Sequence, residues 1–152
     1  MKIKRIFLTT VLTLGLTTLS FASDHGKKKK SDGIRDGKTV YTQSCAVCHS
    51  GGHLKAAPKL GSKADWAGLI EEGQQYPVAH GWLGTRQMPP RGGDPKITFE
   101  EFVNAVAFLG NSAGANWKEY HELDEEMHEE ILEEIQERML RNQAYDNMGK
   151  KY

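Results

Sequence analysis

At 152 residues the chain has room for one domain of ordinary size plus appendages, and its 38% hydrophobic and 26% charged content is that of a globular protein. Twenty Lys and Arg balance twenty Asp and Glu, which excludes nucleic-acid binding by bulk charge. The only two cysteines, Cys45 and Cys48, sit three apart with a histidine directly behind them.

Residues 1–22 have the layout of a secretory signal peptide. Lys2, Lys4 and Arg5 give a basic start, Ile6 to Leu19 an apolar run, and Ser20-Phe21-Ala22 small residues for cleavage. The run is short and threonine-rich for a membrane span, which needs about 20 mostly apolar residues, although an uncleaved anchor is the alternative. Cleavage removes three of the twenty basic residues and none of the acidic ones, so the formal charge moves from 0 to −3. The expected location is the periplasm, an oxidising compartment.

Residues 23–33 read as a flexible basic linker, with four consecutive lysines at 27–30. The packed domain is expected over 34–112. Asp36 can cap a short helix that carries Val40 and Tyr41 towards the cysteines. Ser62-Lys63-Ala64-Asp65 predicts a helix start and Gly73 its stop, around Trp66, Leu69 and Ile70. A glycine- and proline-rich stretch follows from Gly81 to Pro95. Thr98-Phe99-Glu100-Glu101 then fits a capping box, opening a helix whose apolar face is Phe102, Val103, Val106 and Leu109 and whose end is Gly110. The fold class is all-α: three or more helices around loops, with no convincing strand. Such a core of modest size often needs a staple or a cofactor.

Residues 113–152 form an acidic C-terminal unit. Tyr120, Leu123, Met127, Ile131, Ile135 and Met139 recur at helical steps from Trp117 to Leu140, predicting an amphipathic helix lying outside the domain, with a frayed tail from Asn142. Glu125, Glu129, Glu133 and Glu137 make one row on it, and Glu126, Glu130 and Glu134 another. Only Glu134 with Arg138 and Glu137 with Arg141 offer favourable pairs. Either the apolar stripe packs on the parent domain, or the helix docks a basic partner or a second copy of the chain.

Cys45-Ala46-Val47-Cys48-His49 matches the c-type haem attachment pattern, in which two thiols add to the vinyl groups and the adjacent imidazole binds iron. Cysteines three apart on a helical turn can reach two vinyls on one porphyrin edge. A thioredoxin-like thiol pair would want a βαβ pattern, and a zinc site more cysteines than the chain has, unless it borrows His49 and His53. Met88 is the candidate second axial ligand, a soft neutral thioether held by Pro89 and Pro90 in the run Gln87-Met88-Pro89-Pro90-Arg91-Gly92-Gly93. His80 is its rival, and His53 is poorly placed to reach the opposite haem face. His25, His121 and His128 read as surface residues.

Together with Ala57-Pro58-Lys59-Leu60-Gly61, Ala64-Asp65-Trp66 and Met88-Pro89-Pro90-Arg91-Gly92-Gly93, this motif resembles the class I cytochrome c family, and most of all its short bacterial c-five-type subgroup, over about residues 33–110. The resemblance implies three to five short helices around one covalently bound haem c. The helix before the cysteines would cross the one after Thr98, with Gly37 and Tyr41 at the crossing. It also implies that the Pro58 carbonyl orients His49 and that Arg91 neutralises a haem propionate, unless Arg91 is only a solvent-exposed charge. Trp66 and Trp82 would line the haem pocket or pack in the core. The implied function is single-electron transfer between redox partner proteins, not catalysis. An open-site haem sensor or enzyme, or an electron-transfer subunit of a larger complex, are the other readings. Residues 115–152 lie beyond the resemblance.

Overall fold

A computed structural model describes residues 33–51 and 54–149 of the chain. The expected signal segment, all of the linker but Gly33, and His25 and His53 lie outside these residues. Within them the secondary structure is helical, and the single β-bridge joins Thr85 to Met88.

The chain enters through Asp36, whose carboxylate accepts from Thr39 N at 2.8 Å and so satisfies a free donor of α1 (Gly37–Val40). The path continues without a break through a π-helical turn (Tyr41–Cys45) into α2 (Ala46–His49). In the π-turn Ala46 N reaches back to Tyr41 O, which inserts one residue into the helical register between Val40 and Cys45. Sequence periodicity gives no sign of this insertion.

The central helix is α5 (Phe99–Ser112), opened by the expected capping box. Thr98 Oγ1 accepts from Glu101 N at 3.3 Å, and the Glu101 carboxylate accepts from Thr98 N at 3.2 Å. Phe102, Val103, Val106 and Leu109 are buried as predicted, and so are Asn104, Ala105 and Ala107, because α5 is covered on more than one side. It runs two residues past Gly110. The glycine is not a stop: a Cβ there would stand 2.1 Å from Trp117 Cε3, so its bare backbone lets the indole lie against the helix.

α1 crosses α5 at Gly37, where a Cβ would come within 2.0 Å of Asn104 O and 2.8 Å of Phe108 Cβ. Tyr41 packs against Phe108 one turn on, with ring centroids 5.4 Å apart. The crossing implied by the resemblance is present at the residues named for it. Val40, Trp66, Val78, Ile97, Phe102 and Val103 fill the core around it.

α3 (Lys63–Glu72) starts at Ser62, whose hydroxyl accepts from Asp65 N, and ends at Gly73 in a positive-φ conformation, as expected. α4 (Gln75–Leu83) lies partly where a loop was expected. Pro77 falls in its first turn, where helix N–H groups lack intrahelical partners, so the ring costs no hydrogen bond. Gly81, inside α4, admits the Phe102 ring and the Met88 methyl.

The C-terminal segment is bound to the domain before it becomes a long helix. Asn111 Oδ1 accepts from Trp117 N at 2.7 Å, and its Nδ2 donates to Trp117 O at 3.0 Å. Gln74 does the same for Lys118, at 2.9 and 2.7 Å. Asn104 Oδ1 accepts from Tyr120 N at 2.8 Å. A short 3-10 turn (Tyr120–Glu122) follows, then α6 (Glu125–Gly149), where Asp124 accepts from Met127 N at 2.9 Å. The helix therefore begins eight residues later than the periodicity predicts, because these amides hold residues 117–120 out of α-helical geometry. It also continues through the expected frayed region to Gly149. α6 packs along α4 with Ile131 fully buried and Met127 and Ile135 half-buried, so the helix expected to lie outside the domain has its apolar stripe against it.

Candidate functional site

Cys45 is buried, Cys48 half-buried, and both are free thiols on the last turns of the Gly37–His49 path. The Cys45 thiol is pushed up to about 11, first by burial and then by the charges of Asp94 and Cys48. It is therefore a protonated side chain of the core and not an activated redox thiol. Val47, between the two cysteines, points outward and is 63% exposed.

His49 follows at the end of α2, 9% exposed. Its Nδ1 lies 2.7 Å from Pro58 O. A carbonyl only accepts, so the proton sits on Nδ1 and the lone pair on Nε2, the tautomer required of a metal-binding imidazole. The loop that supplies Pro58 is sewn down on both sides. Leu60 N donates to His49 O at 2.8 Å, and the Lys59 ammonium donates to Cys48 O at 3.0 Å and to Leu54 O. Lys59 N donates to Asp65 at 2.9 Å, and Trp66 Nε1 to Lys59 O at 2.9 Å. Trp66 is thus a core residue holding this loop, with its outer edge against Trp117 at 6.0 Å.

Met88 stands in a tight turn in which Thr85 N donates to Met88 O and Met88 N to Thr85 O, both at 2.9 Å. Its methyl reaches the bare backbone of Gly81, 3.1 Å from where a Cβ would be. Arg86 and Arg91 both carry left-handed backbone, φ 53° and 54°, uncommon for residues with a side chain. Pro89 is extended, and Pro90 opens a 3-10 turn (Pro90–Gly93). Arg91 lays its guanidinium 4.5 Å from the centre of the Trp82 ring and donates to Pro95 O at 3.4 Å. Among the described residues it forms no ion pair with a carboxylate.

The cysteine-bearing turn and the methionine loop are joined by a pair fifty residues apart in the chain. Ser44 Oγ donates to Asp94 Oδ2 at 2.8 Å, and Lys96 N to Asp94 Oδ1 at 3.0 Å. These bonds hold the Asp94 carboxyl below the usual carboxylate range. His80, the rival for the second axial position, stands on α4. It lies between α4 and α6 within reach of the charges of Arg138, Glu72, Glu134 and Arg141, and burial lowers its pKa.

Two thiols able to form thioethers, an imidazole with its lone pair on Nε2 and a thioether are the side-chain types that a haem c takes. Residues 32–109 match the family described as "Cytochrome C oxidase, cbb3-type, subunit III". The chain belongs to the class I c-type cytochromes. Cytochrome c-555 of Chlorobaculum thiosulfatiphilum is 46% identical over 77 residues, covering 48% of this chain and 88% of that protein. Cytochrome c-555 of Chlorobaculum tepidum is 43% identical over 77 residues, covering 48% and 70%. Cytochrome c6 of Nostoc sp. PCC 7120 is 28% identical over 116 residues, covering 76% and 99%. A chain in the structure titled "Crystal structure of electron transfer complex of nitrite reductase with cytochrome c" is 36% identical, covers 51% of this chain and 93% of that one, and superposes with a TM-score of 0.48. The cofactor of this cytochrome is covalently bound haem c, and its work is single-electron transfer. The family match ends at residue 109, so Trp117 and everything after it lies outside it.

Proposed function

We propose that this cytochrome is a periplasmic single-electron carrier in which Cys45 and Cys48 tether the haem and His49 and Met88 are its axial ligands. The haem supplies a one-electron redox centre; the chain's residues hold it and decide what else reaches it. The observation that carries the proposal is the His49 Nδ1 to Pro58 O bond, which leaves Nε2 as the basic nitrogen and fixes the ring plane. Met88, in a loop braced by two prolines and paired backbone bonds, would fill the remaining axial position and leave no place for a substrate. Arg91, on the methionine loop and stacked on Trp82, would be the residue to neutralise a propionate. Export follows from the signal-like layout of residues 1–22.

The test is an optical spectrum of the purified mature protein in both oxidation states, with an alkaline pyridine assay and exposure of the ferrous form to carbon monoxide. Covalent haem, a weak far-red band of methionine-ligated ferric haem and poor carbon monoxide binding are the expected results. Ready carbon monoxide binding would favour an open-site sensor or enzyme.

The redox partners are proteins, and the exposed glutamate row Glu125, Glu129, Glu133 and Glu137 suits a basic one. Steering of that kind falls as salt screens it. Reaction rates with the native partner that did not change between low and physiological salt would exclude it.

A further inference from the structure

We propose that the C-terminal extension holds the Met88 loop in place through a line of aromatic rings, which makes Tyr120 a positioning residue for the axial methionine. This rests on Met88 being that ligand.

The line begins at the loop itself. Arg91 covers one face of Trp82. The Trp82 ring meets Phe99 edge to face at 5.1 Å and Phe102 at 5.7 Å, both on α5. Phe99 in turn meets Tyr120 at 6.0 Å and 82°, and Tyr120 meets His128 of α6 at 5.6 Å and 89°. Each contact has the tilted geometry that aromatic quadrupoles favour. Tyr120 is itself anchored, its N–H bonded to the buried Asn104 side chain. Phe102 and the Met88 methyl share the bare backbone of Gly81, so movement of the ring stack is felt at the thioether.

The loop needs such a hold. Two residues with side chains, Arg86 and Arg91, are kept in left-handed backbone, and conformations of this kind persist only where the surroundings over-determine them. Trp82 braces the loop from α4 by holding Arg91 of the loop against its ring, Phe99 braces Trp82, and Tyr120 closes the far side of Phe99. Since Tyr120 and His128 lie past the family match at residue 109, this brace is an addition of the extension to the cytochrome domain.

The experiment uses the full haem-loaded protein in its ferric form. Imidazole binds only when the methionine has left the iron, so its apparent affinity reports the methionine-off population. It is titrated while the far-red band is followed, in the wild type, Tyr120→Phe, Tyr120→Leu and Phe99→Leu, with Leu140→Ala, an exposed site on α6, as control. Tyr120→Leu and Phe99→Leu are expected to raise the imidazole affinity on the order of three- to tenfold, while Tyr120→Phe and Leu140→Ala leave it at the wild-type value. An unchanged affinity in Tyr120→Leu overturns the brace, whatever Phe99→Leu does. Should Tyr120→Leu not fold, a wild-type affinity in Phe99→Leu overturns it equally. A wild-type protein without the far-red band instead overturns Met88 ligation, a failure distinguishable from that of the brace alone.

Discussion

The carboxylate of Glu101 grips the guanidinium of Arg35 at 2.9 and 2.7 Å and accepts from Arg35 N at 3.2 Å. The same group completes the capping box at the start of α5, so one side chain joins the entry segment of the domain to its central helix. Arg35 extends the link through a 2.7 Å bond to Gln43 in the π-turn that leads to Cys45. The haem-binding turn and α5 are thereby tied at their ends by charge as well as at Gly37 by packing.

Acid should release this tie. The Arg35 hydrogen bonds hold the Glu101 carboxyl at about 2, below its ordinary 4.5. A carboxyl depressed in the folded state contributes stability that is complete above about 4.5 and is lost as pH falls towards about 2. Glu101→Gln is therefore expected to lower stability at neutral pH by about 1.5–3 kcal/mol, the range of a charged hydrogen bond, and to flatten the acid slope. Guanidinium denaturation of the ferric protein at several pH values checks both.

Gly37→Ala should be among the most damaging single changes in the domain. The added methyl would meet the Asn104 backbone carbonyl at 2.0 Å, and backbone cannot rotate away. Over-packing a core ordinarily costs about 1–3 kcal/mol, and a clash with fixed backbone belongs at or above the top of that range. The denaturation midpoint measures it; a fall equal to that of Gly68→Ala, where a Cβ meets nothing within 4 Å, would contradict the crossing geometry.

What could be read from the sequence was local. The CxxCH run, the Thr98–Glu101 box, the Asp36 and Ser62 caps and the Gly73 stop each declare themselves within a few residues, and each recurs in the structure. What was missed depends on residues far apart in the chain. Gly110 looks like a helix stop until Trp117 is seen lying on it, and the Gln74 and Asn104 amides reveal their partners only when the chain has folded back. Gly81 reads as the start of a loop until Phe102 and the Met88 methyl are found against its bare backbone inside α4. Glu134 was placed in a row of glutamates on the outer faces, yet it is buried on α6, paired with Arg138 at 3.4 Å and also with Arg141 at 3.0 Å, a seven-residue spacing that a search for neighbouring turns passes over. Of the site, the candidate ligands stand out because each lies in a short motif, while the Ser44–Asp94 bond joining the two loops links residues fifty apart in the chain.

His80 should make stability pH-sensitive near neutrality. Burial lowers its pKa from 6.5, assisted by Arg138 and Arg141 and opposed by Glu72 and Glu134. The folded protein thus binds a proton there less readily than the unfolded chain. Stability is complete above about 6.5 and declines as pH falls from there to the depressed value. His80→Gln is expected to flatten the melting temperature between pH 7 and the upper end of the carboxylate range. An unaltered slope in that variant would place the sensitivity elsewhere.

The Gln74 amide offers a sharper test that the extension is part of the domain. Its Nε2 donates to Lys118 O and its Oε1 accepts from Lys118 N, and the side chain is 2% exposed. Gln74→Leu keeps the bulk and removes both bonds, and should cost about 1–3 kcal/mol because one buried donor–acceptor set is left unmatched. Gln74→Glu separates hydrogen bonding from packing. At neutral pH the introduced carboxylate can still accept from Lys118 N but cannot donate to Lys118 O, and it sets a buried charge against that oxygen. Its folded pKa is therefore raised, so this variant is close to wild type below the ordinary glutamate range and loses stability as pH rises through the raised value. Melting curves for wild type, Gln74→Leu and Gln74→Glu at pH 4 and pH 7.5 distinguish the cases. A Gln74→Glu protein whose deficit relative to wild type is equal at both pH values would mean that the Gln74 amide does not bind the extension, which is then held by Asn111, Asn104 and the packing of α6 on α4.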